Sequence, residues 1–184
     1  MECAATDNGL WLIIGYAGVR CRGLGMRKSV ITSATEETGA GRESWLDLDA
    51  IARVEITSED VNLPIEDALG TTATTGWRAA GTGPQVVRLL FDAPKAIRRI
   101  QLHFVDRTAE RSQEFAVYAG SGGELREVVR QQWTFSPHGA IEEIEDYTVD
   151  LHGVTTLELR IDPDRSHDPK LSQSYASLRS LRLA

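Results

Sequence analysis

Residues 65–91 read IEDALGTTATTGWRAAGTGPQVVRLLF, and three changes of character within them decide the fold class. The acidic opening, entered from Pro64, has the make-up of a single helical turn, with Pro at its first position and Glu66 and Asp67 near its positive end. A Thr/Gly loop then carries the chain to Trp77. Beyond it Val87, Leu89 and Phe91 recur at period two, the spacing of a strand with one face buried.

The same period continues outward from this stretch. Val54 and Ile56, Ile100, Leu102 and Phe104, Phe115 and Val117, Tyr147, Val149 and Leu151, and Leu157, Leu159 and Ile161 all alternate. Arg53, Glu55, Arg88, Gln101, His103, Glu158 and Arg160 fall on the opposite face. Turn chemistry separates the apolar runs at Asp92-Ala93-Pro94, at Gly120-Ser121-Gly122-Gly123 and at His152-Gly153, each predicting a tight reversal. Many short strands without strand–helix–strand alternation give an all-β fold class: a two-sheet antiparallel β-sandwich of jelly-roll type. Little helix is expected beyond Pro64 to Leu69, and the first and last strands are expected to be adjacent.

The chain has 184 residues and a formal net charge of −7, a size that suits one domain with an appended segment. That charge opposes long-range attraction to phosphate backbones and anionic lipid, so neither nucleic acid nor membrane is expected as a partner. Residues 33–44, SATEETGAGRES, cannot bury enough apolar surface to order themselves and read as a linker. Residues 1–44 are therefore expected to be an extension and 45–184 the folded domain. Both cysteines, Cys3 and Cys21, precede that boundary, so the domain itself requires no disulfide or thiolate metal site. The apolar run Leu10 to Val19 has about half of the roughly 20 residues that span a bilayer, and it is flanked by charges of the wrong order for a secretory signal. A cytoplasmic location is the expectation.

In its motifs the chain resembles the galactose-binding-like jelly rolls, specifically the discoidin or coagulation-factor C-type branch. Ala68-Leu69-Gly70, Thr74 to Trp77, Val86 to Phe104 and the hairpin FAVYAGSGGELREVV of residues 115–129 echo the family's turn, Thr/Trp, strand-pair and hairpin elements. The closing segment YASLRSLRL resembles its last strand. The resemblance covers about Trp45 to Ala184 and implies a binding module, with carbohydrate as the ligand class. Two departures stand out: Leu69 occupies the place of the family's turn Asp, and Gly122 that of its hairpin Asp. With one carboxylate lost, a structural Ca2+ would have to draw on Glu66, Asp67 or backbone carbonyls, so no cofactor or metal is expected.

Successive antiparallel strands deliver their connections alternately to the two ends of a sandwich. This parity places the exit of the first strand, residues 105–113, 133–140 and 163–175 at one end, and the turns at Asp92, Gly120 and Gly153 at the other. Long connections gathered on a rigid scaffold are where binding sites form. The polar and aromatic inventory of that end includes Asp60, Asn62, Arg78 and Asp106. The candidate ligand-binding set is Arg107, Glu110, Arg111, Trp133, His138, Asp164, Arg165, His167, Asp168 and Tyr175. Guanidinium forks and carboxylates hydrogen-bond sugar hydroxyls, and an aromatic face stacks on a pyranose ring. Trp133 is the candidate platform, whereas Trp77, beside a strand start, reads as core.

Catalytic patterns are missing. The histidines lie apart at His103, His138, His152 and His167 with no HExxH spacing, and no GxSxG elbow or phosphate-binding GxxxxGK[ST] occurs. Glu142-Glu143 and Glu145-Asp146 point to alternate faces of a strand, which fits a charged edge better than a glycosidase couple. The expected function is non-catalytic binding of carbohydrate, the alternative being a protein-interaction or assembly domain in the cytoplasm.

Overall fold

The computed structural model describes residues 44–71, 75–166 and 174–184. The expectations about residues 1–43, and about His167 and Asp168, lie outside these. Eight strands and two four-residue helices follow in the order α1 (Leu48–Ile51), β1 (Ala52–Ile56), α2 (Glu66–Leu69), β2 (Trp77–Thr82), β3 (Gln85–Val105), β4 (Arg111–Ser121), β5 (Glu124–Phe135), β6 (Glu142–Asp162), β7 (Tyr175–Leu178) and β8 (Ser180–Leu183). All pairings are antiparallel: one sheet of order β1-β3-β6-β4-β5 with β8 also on β3, and a second of β2 with β7.

Two of the three expected reversals are corners instead. Asp92-Ala93-Pro94 and His152-Gly153 lie within β3 and β6, which remain paired around the bend with register shifts between Leu90 and Arg99. Inward residues of β3 are Val87, Leu89, Phe91 and Ile97 before the shift and Ile100, Leu102 and Phe104 after it, so the parity changes across the exposed Arg98 and Arg99. Pro94 lacks a ladder donor, and Gly153 supplies the left-handed backbone of the bend, with φ of 67°. Each long strand thereby contributes to both layers. Phe104, beyond the corner, stacks on Phe115 of the opposite layer with centroids 5.0 Å apart. The core lies between the layers, with Leu89, Ile100, Leu102, Val117, Leu157 and Leu159 fully buried.

Only Gly120 to Gly123 closes a true hairpin, between β4 and β5. Helix α1 was not expected, and Pro64 precedes α2 rather than opening it, its carbonyl accepting from Asp67 N. Strands β1 and β8 do not pair with each other: each pairs with β3, on opposite sides of its corner, and it is the segment before α1 that reaches β8, with Leu46 N donating to Leu183 O. Glu158, on the face opposite the core, is nonetheless buried, because Arg88 and Arg160 close over it.

Candidate functional site

A strand that folds over the rim returns to its starting end just as a hairpin partner would, so the parity of the connections survives the corners. Asp106 N donates to Ile141 O, and Arg165 N donates to Ser112 O, which ties the β3–β4, β5–β6 and β6–β7 connections into one end. Asp106 organises the first of them. Its Oδ1 accepts from Thr108 N at 2.7 Å and Thr108 Oγ1 at 2.6 Å, and its Oδ2 from Arg111 Nε at 2.5 Å. Burial pushes the Asp106 carboxyl up, but the Thr108 hydrogen bonds and the Arg111 charge outweigh it and hold it below the usual range. Arg111 also donates to Gln113 Oε1 and the Pro163 carbonyl and lies 5.4 Å from the Phe135 centroid, with its side chain 2% exposed.

Around this frame opens a cavity of about 810 Å3, within the rough 300–1,000 Å3 span of small-ligand sites. Trp77, 1% exposed, lines its inner side. Strand β2 supplies Arg78, whose guanidinium carbon sits 4.4 Å over the Tyr175 ring of the neighbouring β7. His103, on the outward face of β3, lies 2.7 Å from Glu142 of β6, and both line the cavity. Arg179 occupies the break between β7 and β8, held by its N–H donating to His103 O, and Arg107 stands exposed in the β3–β4 connection.

Of the candidate residues, Arg107, Arg111 and Tyr175 line this cavity. Trp133 does not: it is half-buried against the core beside Gln113, with its indole N–H buried and without a hydrogen-bond partner among the described residues. Asp164 turns back on Ser166, accepting from its N–H and hydroxyl, and Arg165 pairs with Glu114 at 3.1 Å. Glu110 is exposed in the β3–β4 connection and does not line the cavity, and His138 is exposed in the turn closed by Ser136 N donating to Ala140 O. His103 and Glu142 escape a reading based on the long connections because they belong to strands, and Arg179 because the closing segment reads as one continuous strand. The outward parity of His103 and the Arg interrupting YASLRSLRL were the available signals.

Among the described residues no three of His, Cys, Asp and Glu converge as metal ligands. Asp67 is engaged by the Thr75 hydroxyl. Nor is any described helix long and apolar enough to cross a membrane.

No family model matches the sequence, and no curated protein matches it either. Solved structures do. The family 32 carbohydrate-binding module of AlyQ, in complex with 4,5-unsaturated mannuronic acid, superposes with a TM-score of 0.54 at 19% identity over 77% of this chain and 98% of that one. The family 32 module of NanJ from Clostridium perfringens, in complex with galactose, gives 0.54 at 13% identity over 76% and 97%. A pectin-binding carbohydrate-binding module gives 0.52 at 14% over 72% and 89%. At such identities the likeness is one of architecture: the chain has a jelly-roll β-sandwich fold similar to that of the family 32 carbohydrate-binding modules.

Proposed function

We propose that this chain is a non-catalytic carbohydrate-binding module of the galactose-binding-like type, close to the discoidin branch its motifs resemble, and that it takes a saccharide in the cavity between Tyr175, Arg78, Arg107 and Arg179. The observation that carries this reading is the meeting of an aromatic ring and several guanidinium forks in one open cavity at the loop-bearing end. Arg donors match the acceptor lone pairs of ring hydroxyls, while a Tyr face offers apolar contact to a pyranose. The structural neighbours, in complex with 4,5-unsaturated mannuronic acid or galactose, support the ligand class.

Chemistry on the saccharide is not part of the proposal. The two carboxylates lining the cavity are both occupied, Asp106 by Thr108 and Arg111 and Glu142 by His103, so neither is placed as a spare acid or base. Binding by these groups needs no cofactor.

A glycan array probed with the full chain tests the reading, and retention of at least one saccharide is expected. Tyr175→Ala should then weaken the retained glycan about 3- to 12-fold in calorimetric titration, the scale of one lost ring contact. Failure to retain any saccharide would overturn it.

A further inference from the structure

The charges around the cavity specify more than a sugar. Most described arginines elsewhere sit on carboxylates: Arg88 on Glu55 and Glu158, Arg99 on Asp146, Arg130 on Glu114 and Glu127. The cavity breaks this habit. Arg111 is neutralised by Asp106, and His103 faces Glu142, but Arg78, Arg107 and Arg179 have no carboxylate partner among the described residues. They come from three separate places, β2, the β3–β4 connection and the β7–β8 break, and converge on one opening. In a chain of net charge −7, three guanidiniums without ion-pair partners, set against Glu142 as the one lining carboxylate not paired with an arginine, form a local positive focus against the average field.

Holding three like charges together is unfavourable unless something neutralises them, and the Tyr175 ring compensates only Arg78. The planar fork of Arg matches carboxylate and sulfate oxygens bidentately, with stronger hydrogen bonds than it makes to a neutral hydroxyl. Resting on the carbohydrate reading above, we propose that the cavity selects an anionic saccharide, one whose carboxylate or sulfate group is received by Arg107 and Arg179 while Tyr175 and Arg78 hold the ring.

The test compares chemically matched ligands. Oligomers of galacturonate, mannuronate and glucuronate are titrated beside their methyl esters, which keep the skeleton and remove the charge, and sulfated galactose oligomers beside the unsulfated ones. At low salt at least one acidic member should bind about tenfold or more tightly than its neutral counterpart, and the ratio should collapse as salt is raised. Whether the carboxylated or the sulfated series leads assigns the anion. Arg107→Ala and Arg179→Ala should each cut the acid-to-neutral ratio at least about threefold, whereas Arg126→Ala, exposed on β5 near the far turn, should leave it unchanged. Because a folding defect could mimic the loss at the half-buried Arg179, the exposed Arg107 carries the decision, with its melting temperature as control. Equal binding of acid and ester, or of neutral glycans only, would overturn the anionic selection while leaving the carbohydrate reading intact. Binding of no saccharide at all would overturn both.

Discussion

Arg111 and Glu143 show how far a side chain's chemistry depends on what surrounds it. Arg111 was expected to be a ligand contact. Its burial and its bonds to Asp106, Gln113 and the Pro163 carbonyl make it a fastener of the loop end instead. Arg111→Ala would strand the Asp106 carboxylate and should cost about 3–5 kcal/mol in urea denaturation. A loss within error of zero would show that the pair does not hold the loops. Glu143 faces inward beside Phe104, with both oxygens buried and without hydrogen-bond partners among the described residues. Burial, with repulsion from Glu145, pushes its carboxyl up to about 7. The native state therefore holds this proton over a pH range in which the unfolded chain has released it, so stability falls as pH rises from about 4.5 to about 7 and then levels. Glu143→Gln should gain on the parent across that window, by on the order of 2 kcal/mol at pH 8. A constant difference between the two across pH would contradict this. Strand parity in the sequence places Glu143 and Glu142 on opposite faces, but nothing in it reveals that the inward one would lack a partner, because that depends on the layer packed against it.

At the scale of elements, the alternation of apolar residues located β1, β3, β4 and β6 but not the short β2, β7 and β8 or the half-exposed β5, and turn residues were less faithful guides still. Asp92-Ala93-Pro94 and His152-Gly153 have the composition of reversals, and a corner in a continuous strand uses the same residues for the same reasons: a missing donor and a permissive backbone. The distinguishing sign was the slip of inward parity from Ile97 to Ile100, which a simple hairpin does not need. The closing segment likewise read as one strand, whereas Arg179 divides it between two partners, β2 and β3. Gly76 makes that division possible. With φ of 83° it passes so close that an added Cβ would lie 2.6 Å from Leu178 O and 2.9 Å from Arg179 Cα. Gly76→Ala should cost roughly 2 kcal/mol or more and displace Arg78 and Arg179 from the cavity. Gly122→Ala, also left-handed but in open space, should cost only about 1 kcal/mol. Equal losses at both positions would mean that the close approach is not real.

At the largest scale, charge is distributed over the described residues with a clear contrast. On the outer face of the larger sheet Glu55, Arg88, Glu158 and Arg160 form a chain of ion pairs across three strands, and Arg160 also lies 4.2 Å over the Tyr118 ring. Burial pushes Glu158 up, but hydrogen bonds from Arg160 and Arg88 outweigh it and hold it below the usual carboxylate range. That face is saturated, while the loop end holds arginines that no described carboxylate answers. Strand parity was enough to gather the long connections at one end, since it depends only on the number of chain reversals. It could not choose among the residues there, because Trp133 and Asp164 are consumed by packing and turn hydrogen bonds that only the folded chain displays. The most direct measurement of the central claim is amide chemical-shift mapping of the full chain during titration with a glycan retained on the array. Shifts should cluster at Arg78, Asp106 to Thr108, Tyr175 and Arg179, leaving Gly120 to Gly123 and Gly153 silent. Shifts confined to those far turns, with the cavity silent, would contradict it.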